Sequence, residues 1–353
     1  MQATLQCPAR RRNPKRDCPM ETKKISIIGK RYQLVMLTMR AITFLLCINF
    51  SPASAQFPEK PIRLVVPLSP GGANDIIGRI LADKMTAGLG QIMLVENRGG
   101  AATTIGTEYV ARAPADGYTL LLGSSSSAAN VTLYPNLKFD LRKDFAPISL
   151  VTTTAQVLFI HPSLPPRSLL EFIRFTRAHP GQLSYSSAGV AGPPHLAGAL
   201  FNLLAQVDLL HVPYKGGGDA VNAVISGQTS ASFAGITGAL PQIRAGRLRA
   251  LGVTTARRVE AAPDIPTISE AGLKGYEMSG WIALLAPART PPSVIDTLNR
   301  EALRALRLEE TRQRLIAVGA EAAATSPLEL QGFIQKEIEG YARIIQSARI
   351  KPE

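Results

Sequence analysis

The sequence predicts an α/β fold divided into two lobes. Three observations carry that prediction. The chain has 353 residues, more than one hydrophobic core usually organises. Short apolar runs alternate with helix-period segments from about residue 62 to 253. Loops rich in Gly and Ser recur where a strand hands over to a helix. Hydrophobic residues make up 46% and charged residues only 18%, enough apolar side chain for a sizeable core.

Residues 62–67 read IRLVVP, a buried strand, and a helix follows over 74–85. A second strand is expected at 92–95, a helix at 104–112, and a third strand at 118–122 (YTLLL) that ends at Gly123 and four serines. Near-continuous apolar strands separated by helices point to a parallel sheet covered on both faces. The grammar then repeats: strands at 156–160, 183–186, 209–212, 231–234 and 248–253, with helices over 167–178, through 203, to 225 and to 244. His179-Pro180-Gly181 stops the first of these helices. A Pro/Gly connection over 263–275 leads to one more strand at 281–285. Two helices close the chain, with apolar stripes at Val294, Leu298, Ala302 and Leu306, and at Phe333, Ile334, Ile338, Tyr341 and Ile345. We therefore expect lobe 1 at 56–155, lobe 2 at 156–254, and a return to lobe 1 over 255–353.

Residues 1–55 read as a leader. Arg40 precedes the apolar run AITFLLCINF, and Ala53 and Ala55 form an A-x-A exit with Gln56 as the new N-terminus. A basic flank, a short apolar run and small residues at the exit make a cleavable secretory signal. The basic stretch RRRNPKR at 10–16 is read as lying ahead of an internal start at Met20, Met36 or Met39. The expected location is the periplasm.

Removing the leader changes the chemistry. It holds 10 of the 39 basic residues and 2 of the 26 acidic ones, so the net charge falls from +13 to +5. Nucleic-acid binding loses its compositional support. Cys7, Cys18 and Cys47 all lie in the leader, which excludes disulfides and a cysteine nucleophile from the remainder. His161, His179, His195 and His211 form no metal-binding spacing, and phosphate-loop, dinucleotide and nucleophile-elbow motifs are absent. No catalytic residue, metal or cofactor is expected.

Five strand-to-helix loops remain: 69–75, 123–127, 186–195, 214–219 and 234–238. Ligands of open α/β sheets bind outside the carboxyl ends of strands, where helix N-termini offer free N–H groups to anions. Any one such loop is ordinary turn chemistry; five split between two lobes make a ligand cleft. The candidate ligand-binding residues are Ser69, Gly71, Gly72, Ala73, Asn74, Asp75, Ser124, Ser125, Ser187, Gly189, His195, Tyr214, Gly216 and Ala234. Asp75 can accept from a cationic ligand group or simply favour the helix dipole, and the structural role is preferred. His195 can donate to a ligand or cap its helix, again with the structural role preferred.

These loops carry a resemblance. The chain after Ala55 resembles the Bug family, extracytoplasmic receptors of tripartite tricarboxylate transporters. It rests on Lys60-Pro61-Ile62-Arg63-Leu64-Val65-Val66-Pro67, Pro70-Gly71-Gly72 with Asp75, Val95-Glu96-Asn97-Arg98-Gly99 and Asp116-Gly117-Tyr118-Thr119-Leu120. It continues in His195-Leu196-Ala197, His211-Val212-Pro213-Tyr214-Lys215-Gly216 and Pro263-Asp264-Ile265-Pro266-Thr267. The resemblance implies a type II periplasmic binding protein fold: two lobes, a hinge and a ligand cleft between them. It implies a monomer that captures a small carboxylate and delivers it to two membrane subunits; a sensing role beside a signalling protein, or an enzyme on the same fold, are the alternatives. Two departures matter. Ala73 and Asn74 stand where a further Gly and a hydroxyl are common, and residues 188–194 lack a hydroxyl-rich run. A monocarboxylate or aromatic acid is then favoured over citrate.

Overall fold

The computed structural model describes residues 57–352; the leader and export signal expected from the sequence lie outside the described residues. Two sheets organise the fold. The first has the order β11-β4-β10-β3-β1-β2 and the second β7-β6-β8-β5-β9.

The first lobe opens with β1 (Ile62–Val66), α1 (Ala73–Leu89), β2 (Met93–Asn97), α2 (Thr104–Ala111), β3 (Thr119–Ser124), α3 (Ser125–Leu133) and β4 (Phe145–Thr154). A 3-10 turn, Ala101–Thr103, leads into α2. The second lobe follows with β5 (Gln156–Ile160), α4 (Leu169–Ala178), β6 (Ser184–Ser187), α5 (Pro193–Ala205), β7 (Leu210–Pro213), α6 (Gly217–Ile225), β8 (Ala231–Gly235), α7 (Ile236–Arg244) and β9 (Arg249–Val253). The chain then runs along β9, bridging Val253 to Thr267, before β10 (Gly280–Pro287) enters the first sheet. α8 (Pro292–Arg307), α9 (Glu309–Ala317), β11 (Ala320–Ala322) and α10 (Pro327–Ser347) complete it.

The parallel-sheet expectation is corrected. β1, β2 and β3 are parallel, but β10 runs antiparallel to both β3 and β4, and β11 antiparallel to β4. In the second sheet β6 is parallel to β7 and β8, while β5 is antiparallel to β8 and β9. Two of the reversed strands, β5 and β10, sit where the chain passes between sheets. A strand that arrives from the other sheet needs no crossover helix, so the right-handed βαβ rule does not dictate its direction.

Three apolar clusters hold the lobes. Alternate residues of one strand face different clusters, as a pleat requires: in β5, Val157 and Phe159 face one side and Leu158 and Ile160 the other. One face of the first sheet packs Leu64, Leu122 and Leu284 on Ile77, Leu81 and Met85 of α1 and on Leu298 and Leu306 of α8. The approach is close, since a Cβ on Gly78 would sit 3.1 Å from Leu122 and 3.2 Å from Val66. The other face carries Leu121, Trp281 and Leu285 against Ile334, Ile338 and Tyr341 of α10, and that cluster continues to Tyr185, Phe201 and Phe233 of the second lobe. α10 packs on α3 and β4 of the first lobe and on α5 of the second. It begins with a capping box between Ser326 and Glu329, and Pro327 opens its first turn.

Candidate functional site

The helices that follow β1, β3, β6, β7 and β8 share one trait. Their N-caps are Gly72, Ser124, Gly192, Gly216 and Gly235, and none makes a side-chain cap hydrogen bond. By contrast α4 and α10, which start away from those strand ends, are capped by Ser168 and Ser326. An uncapped helix start keeps N–H groups free for an anion.

A cavity of about 690 Å3 lies between the lobes. The first lobe lines it with Leu68, the turn at Ala101–Thr103 with Thr104, Ser126 and Asn130 of α3, and the residues from Leu133 to Leu137; the second lobe adds Val190, Ala191 and Gly192. The sequence-derived candidates fall around this space unevenly. Ser69, Gly71, Gly72 and Ala73 are exposed, one step from Leu68. Gly71 is left-handed at φ +83°, which a side chain would resist, whereas Gly72 has an ordinary φ of −78° and a Cβ there would meet only Ser69 O, at 3.9 Å.

Asp75 does not line the cavity. Its carboxylate is buried and accepts from Gly71 N (2.9 Å), Arg79 Nε (3.1 Å) and Asn97 Nδ2 (3.0 Å). Burial pulls this carboxyl upward, but the bonds from Arg79, Gly71 and Asn97 outweigh it and hold it below its usual range. Asp75 thus ties down the loop, and Asn74 sits beside it, half-buried in the first turn of α1.

In the second lobe Ser187, Gly189, His195 and Tyr214 come together behind the cavity wall. His195 Nδ1 accepts from Ala191 N–H at 2.9 Å, fixing a residue that has φ +59°. Ser187 Oγ donates to Gly189 O (2.9 Å), so it accepts from His211 Nε2 (2.7 Å). Tyr214 donates its N–H to Ser187 O, and its hydroxyl donates to Gln228. Burial, then the neighbouring His211, depress His195 to about 3, and burial depresses His211 to about 4; both rings are neutral. His195 and Tyr214 therefore brace the loop. Gly216 and Ala234 do not line the cavity: Gly216 is the N-cap of α6, and Ala234 is buried on β8 opposite Val157.

The expected serine loop at 123–127 is corrected to the end of a strand and the start of a helix. Ser124 pairs with Ile282 and its buried hydroxyl has no partner; Ser125 is buried at the start of α3; Ser126 is the serine that reaches the cavity.

Sequence reading missed the cavity's strained edge. Ala101, Ala102 and Thr103 hold φ of 43°, 51° and 81°, after Gly100 at 124°. Such conformations are unfavourable for residues with a Cβ and persist where surroundings impose them. Asn130 Nδ2 donates to Ala102 O and to Thr103 Oγ1, which also meets Ser127 Oγ at 3.3 Å. Gly100 beside a motif was the only signal in the sequence. Among the described residues no group of His, Cys, Asp and Glu could hold a metal.

Residues 77–350 match the family model described as the tripartite tricarboxylate transporter family receptor. The chain belongs to that family. It is 35% identical over 304 residues to protein BugT of Bordetella pertussis, covering 85% of this chain and 93% of the relative. A structure of R. palustris Rpa4515 with adipate superposes with a TM-score of 0.71 at 31% identity, over 84% of this chain and all of the other. MatC of Rhodopseudomonas palustris with bound malate gives 0.68 at 33% identity, over 82% and 100%. This tripartite transporter receptor is thus a solute-binding protein of the type II fold and not an enzyme.

Proposed function

We propose that this receptor works in the periplasm, after cleavage of the leader at Ala55, and captures one small carboxylate between its lobes. The lobes are 56–155 and 156–254, with 255–353 returning to the first, and the closed monomer is presented to two membrane subunits. The observation that carries this reading is the placement of the cavity: both lobes line it, and α3 and α5, which lack side-chain caps, start at it. Relatives crystallised with adipate and with malate support a carboxylate ligand. Gly72 and Ser126 are the residues we assign to the anion, with the backbone N–H groups of the first turns of α1 and α3 as donors. A thermal-shift screen of ligand-free protein over small carboxylates tests this. A cognate acid at a hundredfold excess over Kd should stabilise the fold by about 2.7 kcal/mol; a flat response to every carboxylate sinks the reading.

A further inference from the structure

We infer that the ligand is a monocarboxylate with an apolar body, selected by Leu133, Tyr134, Leu137 and Val190. This rests on the carboxylate-receptor reading above and narrows it. Among the described residues, no side chain lining the cavity is charged. Its polar side chains are Thr103, Thr104, Ser126, Asn130, Tyr134 and Asn136, and two of them are already committed. Asn130 and Thr103 spend their hydrogen bonds on holding the left-handed run at Ala101–Thr103. On the far wall Ser187 is committed to Gly189 and His211, and the Ala191 N–H to His195. What the second lobe presents to the cavity is therefore the Val190 side chain, the Ala191 methyl group and Gly192.

Across from it stand Leu133, Tyr134 and Leu137 at the end of α3 and just beyond. Leu133 is buried, and Tyr134 and Leu137 are half-buried against the same core. One carboxylate can be met at the first turn of α3, where Ser126 lies and where Ser124 keeps a buried hydroxyl without a partner. A second carboxylate pointing toward Leu133, Leu137 and Val190 would meet no cation, and the side-chain donors beside it are only the Tyr134 hydroxyl and the Asn136 amide. Ionised groups buried without partners are strongly disfavoured. An aromatic or aliphatic body fits the same wall by burying apolar surface, and about 690 Å3 leaves room for a six-membered ring.

The test is calorimetric titration of the purified protein with benzoate, phenylacetate and hexanoate, against adipate, malate and citrate, with benzamide as the uncharged control. The monocarboxylates should bind at least about tenfold more tightly than the di- and tricarboxylates, and benzamide should give no heat. Adipate, malate or citrate binding tightest overturns the inference and leaves the carboxylate-receptor reading standing. No binding by any of the six acids overturns both. Two variants test the residues. Leu137→Arg should swing the preference toward adipate by about tenfold, since it places a cation where the second carboxylate would fall. Val190→Ser, a milder change that spares the core, should narrow the gap between hexanoate and adipate. If both variants fold and keep the parent's preference, the assignment of the wall is wrong.

Discussion

The imidazole rings of His195 and His211 lie parallel, with 3.7 Å between centroids and 7° between planes. One pins the Ala191 N–H and the other anchors Ser187, so the pair holds both ends of the loop at 189–192. Tyr185 flanks it, with its ring 5.0 Å from His211, and burial raises the phenol far above its ordinary range.

The pair makes the receptor acid-sensitive. In the unfolded chain a histidine takes up its proton near pH 6.5. In the fold His211 waits until about 4 and His195 until about 3. Between those values the unfolded chain binds more protons, so this contribution to stability is complete above pH 6.5 and is lost as pH falls toward 3. Thermal melts from pH 7 to 4 should show the decline. The double variant His195→Asn, His211→Asn should have a flatter profile; an unchanged slope refutes the assignment.

Gly72→Val should separate folding from binding. A Cβ there makes only an ordinary contact, 3.9 Å from Ser69 O, and its φ suits any residue. The cost to stability should be on the order of 1 kcal/mol, because Val is a poor N-cap. Affinity for the cognate acid should fall about a hundredfold, equivalent to about 2.8 kcal/mol. Gly71→Val should behave differently and lose stability through its left-handed backbone. Titration and denaturant melts of both variants check this.

Glu337 predicts a stabilising substitution. Its carboxylate accepts from Trp281 Nε1 at 2.9 Å and from the Tyr341 hydroxyl at 2.6 Å. Burial raises it above its ordinary range, more than these two bonds lower it. A raised acid binds its proton more tightly folded than unfolded, so its ionisation costs stability as pH rises past its unfolded value. Glu337→Gln keeps the acceptor oxygen and removes the charge. It should raise Tm at pH 7 to 8, with the gain vanishing near pH 4; equal gains at both pH values count against this account.

Ser326→Ala should lower stability by about 1 kcal/mol by removing the capping box of α10. Ligand affinity should not change, since that helix start is remote from the cavity lining. Urea melts paired with titration distinguish the two effects.

Sequence reading found the two-lobed α/β fold because strands such as β1, β5 and β8 are short, apolar and bounded by Gly, Pro or Ser. It missed β4, whose FAPISLVTTT mixes Pro147 and three threonines into a strand that only its neighbours β10 and β11 justify. It missed α3 because SSSAANVTL is poor in helix formers and is held by tertiary packing. The site was half legible. Glycine loops pointed to the cleft, yet no local pattern announces that Ala101, Ala102 and Thr103 would adopt left-handed conformations. Nor could spacing reveal that Asp75 and His195 use their polar atoms internally.

Trp281 is the only tryptophan in the chain, and it sits one residue into the strand by which the backbone re-enters the first sheet. Its indole is buried, bonded to Glu337 and packed edge-on against Phe333 at 5.6 Å. The molecule therefore carries an intrinsic fluorophore where the chain crosses back from the second sheet to the first. Any rotation of the lobes that alters the Glu337 or Phe333 contact changes emission from one site, without a label and without background from a second indole. Stopped-flow fluorescence on the unmodified protein can then time closure directly, and the same signal would rank ligands by how completely they drive it.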